Sequence, residues 1–172
     1  LILRGARQVG KTYILKDFAN TYYDNMAYFN FDHDSSLADL FVNTKDPKRI
    51  IEQLSFVVGR KIEPVNTLII FDEVQECPDA LNSLKYFAEE TPEYHIVAAG
   101  SLLGIKLSHT SFPVGKVDYL TLYPMTFSEF LIADGKENLV EYMKSIKEIQ
   151  EIPKIFDEQL VEQLKKYYII GG

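Results

Sequence analysis

The 172-residue sequence predicts an α/β fold, built on a mostly parallel five-stranded sheet with helices on both faces. Three observations lead to this prediction. The apolar runs at Thr67–Phe71 and His95–Ala99 are continuous, as in strands that are buried on both faces. Short apolar segments alternate along the chain with segments of helical spacing, which favours right-handed crossovers between parallel strands. A glycine-rich turn also joins the first apolar segment, Leu1–Leu3, directly to a helical pattern.

The first helix is predicted over Lys11–Tyr23, where apolar side chains recur three and four residues apart. Met26–Phe31 alternates and is rich in aromatic residues, which indicates a second strand. A short polar loop then precedes predicted helices at Leu37–Val42 and Pro47–Val58. Pro47 is suited to the start of a helix, because the N–H group that proline lacks would have no helical partner there.

The strand at Thr67–Phe71 is followed by a predicted helix at Asp79–Glu90, whose apolar residues lie along one side. After the strand at His95–Ala99, residues 104–115 are predicted as a loop and Val117–Leu122 as the fifth strand. The chain then continues with three predicted helices, at Thr126–Ala133, Glu137–Ile149 and Lys154–Tyr168.

The composition excludes several classes of protein. The chain has 25 acidic and 18 basic residues and a formal net charge of −7. This balance argues against a protein that grips nucleic acid by bulk electrostatics, although a local basic patch stays possible. The single cysteine, Cys77, rules out a disulfide within the chain and is typical of a reduced cytoplasmic protein. No apolar run reaches the roughly 18 residues that a membrane helix needs, so we expect no membrane segment.

Both ends of the sequence suggest a piece of a longer polypeptide. The chain opens on Leu1 inside a predicted strand and closes on Gly171 and Gly172 without a polar tail. Ala133-Asp134-Gly135 is the clearest break within it. We therefore predict a sheet domain over residues 1–134, and a helical segment over 135–172 that leads to a lid or a further domain.

The turn after the first strand has the spacing of a phosphate-binding P-loop, G-x-x-x-x-G-K-[ST]. Glycines allow the backbone to turn its N–H groups toward phosphate oxygens, and the following helix adds the positive end of its dipole. The lysine would reach the β- and γ-phosphates, and the threonine hydroxyl would bind Mg²⁺. The candidate nucleotide-binding residues are Gly5, Ala6, Arg7, Gln8, Val9, Gly10, Lys11 and Thr12.

Two carboxylates, Asp72 and Glu73, follow the buried strand at residues 67–71. Ligand chemistry in parallel sheets takes place at the carboxyl ends of the strands. We expect Asp72 to hold Mg²⁺ together with Thr12, and Glu73 to polarise a water molecule for attack on the γ-phosphate. A second carboxylate favours hydrolysis over phosphate transfer by a kinase, which needs no water activator at this position.

Polar residues at two further strand ends are weaker candidates. Ser101 follows the strand at His95–Ala99 and could contact the γ-phosphate or the attacking water, or could simply form a turn. Asn30 lies near the end of the second strand and could hydrogen-bond Glu73 if the two strands are neighbours. The tyrosines at 22, 23 and 28 are interpreted as packing residues rather than as a base-stacking platform.

The distribution of arginine is uneven. Arginine occurs only at positions 4, 7, 49 and 60, so none lies in the second half of the chain. Many P-loop hydrolases complete the site with an arginine from a lid or a neighbouring subunit. Here Lys106 and Lys116 are the cations available after Ser101, and lysine lacks the bidentate fork of arginine. Either these lysines serve, or the arginine lies outside this chain, or hydrolysis is slow.

Together these motifs resemble predicted bacterial and archaeal ATPases of the AAA+ superfamily, which carry an N-terminal AAA domain and a C-terminal domain of unknown function. The resemblance rests on Gly5–Thr12, on Ile-Ile-Phe-Asp-Glu-Val-Gln at 69–75, on Ala-Ala-Gly-Ser-Leu-Leu-Gly at 98–104, and on the segment 113–131. It covers nearly the whole chain. No sensor-2 arginine and no segment before the first strand, which usually helps to hold adenine, are visible in this sequence.

The resemblance implies Walker A at Gly5–Thr12, Walker B at Asp72 and Glu73, and sensor 1 at Ser101. It also implies a P-loop three-layer sandwich of strand order 5-1-4-3-2. We therefore expect an Mg²⁺-dependent ATPase core that acts with a protein partner or by self-association through regions outside this chain. The alternatives are a nucleotide-gated scaffold with little turnover and, less favoured, a P-loop kinase.

Overall fold

The computed structural model describes residues 1–101 and 117–170 of the chain. These residues belong to two compact units, Leu1–Leu122 and Tyr123–Gly172. The boundary predicted at residue 134 falls inside the second unit, after its first helix. The loop predicted at 104–115, with Lys106, and the neighbouring Lys116 lie outside the described residues.

The first unit is built on a five-stranded sheet of order β2-β3-β4-β1-β5, in which every neighbouring pair is parallel. This is the order 5-1-4-3-2, counted from the opposite edge, and the predicted α/β fold is confirmed. The strand β4 separates β1 from β3, and β2 is an edge strand. The strands are β1 Ile2–Gly5, β2 Asn25–Asn30, β3 Thr67–Asp72, β4 His95–Gly100 and β5 Tyr119–Leu122.

Four helices within the described part of the first unit cover the two faces of this sheet and complete a three-layer sandwich. They are α1 Lys11–Tyr22, α2 Leu37–Val42, α3 Pro47–Val58 and α4 Pro78–Glu90, with a 3-10 turn at Val74–Glu76. The strand β3 is buried along its whole length, and its side chains alternate between the faces. Leu68 and Ile70 join a cluster with Leu15 and Ala19 of α1. Ile69 and Phe71 join the larger cluster on the other face, which α2, α3 and α4 supply.

Aromatic packing fixes the carboxyl ends of β2 and β3. The Phe71 ring meets the rings of Phe31 and Phe41 edge to face, with centroid distances of 5.6 and 5.5 Å. Phe29 of β2 also approaches Phe71, at 6.1 Å. Such pairs contribute about 0.5–1.5 kcal/mol each beyond the area that they bury. This packing of the Phe71 ring fixes the backbone immediately before Asp72.

In the second unit, residues 123–170 form three helices, α5 Phe127–Ala133, α6 Glu137–Ser145 and α7 Lys154–Ile170. Its core contains Leu131, Leu139 and Val140. The predicted helix Glu137–Ile149 is wrong at its end, because Ile146 is already extended at φ −74° and ψ 108°. Beyond this point Ile149 is fully exposed. Every helix within the described residues is too short or too polar to cross a membrane.

Candidate functional site

The P-loop connects β1 to α1, and the absence of a side chain at Gly5 allows β5 to pack closely against its start. A Cβ atom on Gly5 would lie only 2.2 Å from the carbonyl oxygen of Leu122 in β5. Gly10, just before α1, has a φ of 91°, and Gln8 adopts a φ of 65°. Left-handed backbone is costly for a residue with a side chain, so the structure around Gln8 must hold it there. Between these positions Ala6, Arg7, Gln8 and Gly10 are exposed, and Val9 is half-buried.

The first turn of α1 is suited to an anion. Gly10 precedes the helix and has no side chain with which to cap it. The first hydrogen bond within the helix runs from the amide of Ile14 to the carbonyl of Gly10. The amides before Ile14 therefore remain available for a ligand, and the helix dipole adds positive potential at the same place.

Lys11 supplies a full positive charge inside the loop. Its side chain is 5% exposed, and its Nζ donates hydrogen bonds to the carbonyls of Gly5 and Ala6 at 3.1 and 2.6 Å. Burial lowers the pKa of Lys11, while the nearby charges of Glu73 and Asp72 oppose that shift. The ammonium is thus surrounded by P-loop carbonyls, at the position where the motif requires a phosphate-binding cation.

Thr12 and Asp72 meet although they lie 60 residues apart in the sequence. The Thr12 hydroxyl donates to Asp72 Oδ2 at 2.7 Å. The amide of Glu73 donates to the other carboxylate oxygen, Oδ1, at 3.0 Å. Asp72 is 2% exposed, so these donors satisfy carboxylate oxygens that have almost no access to water.

Glu73 immediately precedes the 3-10 turn and has a left-handed backbone, with φ 50° and ψ 41°. A left-handed backbone at a non-glycine residue is uncommon and clusters at functional sites. The Glu73 carboxylate is half-buried and accepts a hydrogen bond from the side chain of Gln75. The structure therefore places a second, oriented carboxylate directly after Asp72.

Ser101 lies at the carboxyl end of β4, between the strand that carries the P-loop and the strand that ends in Asp72. The register supports this position, because Gly100 is paired with Arg4 of β1 and Ala98 with Phe71 of β3. The strand order thus brings Ser101 to the same edge of the sheet as the other candidate residues. Its side chain is half-buried.

Asn30 has a different partner from the one that the sequence suggested. The strands β2 and β3 are neighbours, and Asn30 lies opposite Asp72. However, the Asn30 amide nitrogen donates to the hydroxyl of Tyr28, at 3.3 Å, and not to Glu73. Its oxygen accepts from the amides of Asp32 and His33 at 3.0 Å each. The turn after β2 uses the oxygen and so directs the amide nitrogen back along the strand.

Tyr28 is a residue of the site that sequence reasoning assigned only to packing. Its hydroxyl donates to Asp72 Oδ2 at 2.8 Å, and the Nζ of Lys16 lies 3.8 Å from the centre of its ring. Burial, with the adjacent Asp72 adding to it, raises the pKa of Tyr28 to about 12. The alternation of a strand places Tyr28 and Asn30 on one face, which was the available signal. The register of β2 against β3 was needed to find its partner.

The oxygen donors at this edge fit Mg²⁺. Among the described residues, no group of three or more His, Cys, Asp or Glu side chains could hold a metal by itself. Mg²⁺ in nucleotide sites is instead held by one or two protein oxygens together with water and phosphate oxygens. The Thr12 hydroxyl and the Asp72 carboxylate, 2.7 Å apart, supply such a pair next to the P-loop.

The sequence matches a known family, described as AAA domain, over residues 1–131. No curated protein matches the chain. Among solved structures it is similar to C. elegans PCH-2, with 14% identity and a TM-score of 0.48, over 89% of this chain and 42% of that one. It is also similar to the Aeropyrum pernix ORC1 protein, solved in complex with DNA, with 17% identity and a TM-score of 0.46. That match covers 79% of this chain and 43% of the other, so this chain spans less than half of either protein.

Proposed function

Since this chain belongs to the AAA domain family, we propose that its first unit binds ATP with Mg²⁺ and hydrolyses it to ADP and phosphate. The observation that carries the proposal is the meeting of the Thr12 hydroxyl with the buried Asp72 carboxylate, at 2.7 Å, beside the P-loop. A phosphate-binding turn alone would support only anion binding. The addition of a buried pair of oxygen donors supports a metal–nucleotide complex.

Each residue of the site has a role in this proposal. The amides of the first turn of α1 and the ammonium of Lys11 bind the phosphates. When phosphate binds, the Lys11 ammonium replaces its hydrogen bonds to the loop carbonyls with hydrogen bonds to phosphate oxygens. Because burial leaves the ammonium poorly solvated, a bond to a charged oxygen is favourable there. Thr12 and Asp72 would hold Mg²⁺, which neutralises phosphate charge when it is bound.

Glu73 is the residue that makes the proposed reaction a hydrolysis. Its carboxylate lies next to the magnesium-binding aspartate and is oriented by Gln75. A carboxylate in this position can accept a proton from a water molecule as that water attacks the γ-phosphate. Ser101 at the end of β4 would contact the γ-phosphate or the water. The arginine expected of many P-loop hydrolases would come from outside the described residues.

Products distinguish hydrolysis from the two alternatives. With ATP and Mg²⁺ and no added acceptor, hydrolysis releases ADP and free phosphate in equal amounts. A kinase would release ADP only when an acceptor is present, and a nucleotide-gated scaffold would bind ATP without releasing either product. Equal release that requires Mg²⁺ supports the proposal; acceptor-dependent ADP release, or binding without turnover, contradicts it.

The proposed activity also bears on the partner and the cellular location of this chain. If ATP hydrolysis by this chain drives a change in another molecule, the acidic charge of −7 gives no support for nucleic acid as that molecule. We therefore propose a protein partner, or self-association, reached through regions beyond this chain. A cytoplasmic location is consistent with the single, buried Cys77.

A further inference from the structure

A chain of polar contacts runs from the edge strand β2 to the candidate magnesium site. The Asn30 amide donates to the Tyr28 hydroxyl at 3.3 Å, and that hydroxyl donates to Asp72 Oδ2 at 2.8 Å. The Thr12 hydroxyl donates to the same oxygen at 2.7 Å. None of the P-loop or acidic motifs of the sequence includes Tyr28 or Asn30.

The contacts of Asp72 show what the phenol contributes. Two hydroxyls share Oδ2, and the amide of Glu73 occupies Oδ1. The amide and the Thr12 hydroxyl both belong to segments that must accommodate nucleotide, whereas Tyr28 belongs to a strand of the sheet. Tyr28 is therefore the donor that ties the carboxylate to a rigid element, which is how outer residues orient a metal ligand.

The position of Tyr28 is itself well defined. Its strand is paired in register with β3, so that Tyr28 lies opposite Ile70 and Asn30 opposite Asp72. Its ring packs against the cluster under α1 and also faces the ammonium of Lys16. The hydroxyl is held from the other side by Asn30, whose own oxygen is fixed by the turn at 32–33. A ring needed only for packing would not require this arrangement of its hydroxyl.

We propose that Tyr28 is a positioning residue for the magnesium pair, whose hydroxyl holds the Asp72 carboxylate in the orientation that binds Mg²⁺ with Thr12, and that Asn30 orients Tyr28. This inference rests on the proposed function. Tyr28 acts only through Asp72 and does not touch nucleotide. Its loss therefore weakens the contribution of Mg²⁺ to nucleotide binding and leaves binding by the P-loop itself intact.

The test is a Mg²⁺ titration of the binding of a fluorescent ATP analogue, with a parallel measurement in EDTA. In Tyr28→Phe, which keeps the ring, we expect the Mg²⁺ concentration for half-maximal enhancement of binding to rise about tenfold. The Kd in EDTA should stay within about twofold of the parent value, because the P-loop is unchanged. A ring with a purely structural role would move both quantities together or neither.

Tyr23→Phe is the matched control. Tyr23 is also half-buried and its hydroxyl is also hydrogen-bonded, to Nδ1 of His95 at 2.8 Å, but it lies beyond the other end of the strands. We expect its Mg²⁺ titration to match that of the parent chain. Asn30→Ala is a second test variant, which keeps the Tyr28 hydroxyl. We expect its Mg²⁺ concentration for half-maximal enhancement to rise, but by less than in Tyr28→Phe.

The outcomes separate the two proposals. If the parent chain shows no enhancement of binding by Mg²⁺, the proposed function fails and this inference fails with it. If the parent chain shows the enhancement and Tyr28→Phe shows the same midpoint, only the role of Tyr28 is overturned. If Tyr28→Phe does not fold, Asn30→Ala decides, because a parental midpoint in that variant also overturns the proposal.

Discussion

The hydroxyl of Thr12 and the carboxylate of Asp72 are joined by a hydrogen bond of 2.7 Å across 60 residues of sequence. Thr12 lies in the first turn of the helix after the P-loop, and Asp72 is the last residue of β3. The strand that leads into the P-loop, β1, is not a neighbour of β3 in the sheet, because β4 lies between them. This relationship turns a phosphate-binding loop into a candidate site for a metal–nucleotide complex.

The Thr12 hydroxyl can be tested by isosteric replacement. Thr12→Val keeps the shape and removes the oxygen, so we expect the enhancement of ATP binding by Mg²⁺ to fall about tenfold. Thr12→Ser retains the hydroxyl and should keep most of the enhancement. The measurement is the Kd of a fluorescent ATP analogue with and without Mg²⁺. Equal behaviour of the two variants would remove Thr12 from the proposed magnesium site.

Lys11 is expected to bind phosphate rather than to support the fold. Lys11→Met should weaken nucleotide binding at least tenfold, which corresponds to about 1.4 kcal/mol, because it removes a charge-assisted hydrogen bond to phosphate. Lys48→Met on α3 is the matched control, since Lys48 is exposed on a different helix. Isothermal titration at equal protein concentration measures both. An equal loss of nucleotide affinity in the two variants would show that the overall charge of the chain, and not Lys11 in particular, determines binding.

Replacement of Gly5 should lower the stability of the fold for a steric reason. Gly5→Ala places a Cβ atom 2.2 Å from the Leu122 carbonyl, so β5 must move, and we expect a loss of about 3 kcal/mol in the free energy of unfolding. Gly59→Ala is the comparison. Gly59 has a φ of 68° and open space around it, so that variant should lose about 1 kcal/mol from backbone strain alone. Urea denaturation followed by circular dichroism measures both, and equal losses would contradict the steric explanation.

The start of α5 should make the stability of the second unit depend on pH. The Thr126 hydroxyl donates to Glu129 and accepts from the Glu129 amide, and the Thr126 amide also donates to the Glu129 carboxylate. These donors lower the pKa of Glu129 below its ordinary 4.5. A lowered carboxyl pKa contributes stability above the unfolded value, and this is lost as pH falls through the folded value.

Glu129→Gln isolates that contribution. At pH 7 the parent chain should be more stable than the variant, and the difference should shrink progressively below pH 4.5. Paired urea denaturations across this range measure the difference directly. A difference that stays constant with pH would show that the carboxylate charge has no part in holding the helix start.

The sequence was informative where chemistry depends on local spacing. Gly5, Lys11 and Thr12 could be assigned from one turn between a strand and a helix, and Asp72 from its place after a buried apolar run. The whole sheet order also followed once these motifs indicated the family. Such features depend on residues that are close in the sequence, so they can be recognised without knowledge of tertiary contacts.

The register between strands, and the choice of one hydrogen-bond partner over another, could not be predicted from local spacing. The Tyr28 hydroxyl finds Asp72 because β2 pairs with β3 at one register, and a shift of one residue would turn Tyr28 to the other face. The sequence suggested that Asn30 could hydrogen-bond Glu73, but the Asn30 oxygen accepts from the amides of the turn at 32–33 and its amide nitrogen donates to Tyr28. The end of α6 at Ser145, four residues before the predicted end, was likewise not evident from the helical spacing.

The most direct test of the account is the rate of phosphate release from ATP by the parent chain and by Glu73→Gln, with Glu52→Gln as the matched control. Glu52 is exposed on α3 and away from the P-loop. We predict Mg²⁺-dependent release that falls about 10²-fold or more in Glu73→Gln, with unchanged nucleotide binding and a parental rate in the control. Equal rates of release from the parent chain and from Glu73→Gln would contradict the assignment of this site as an ATP hydrolase.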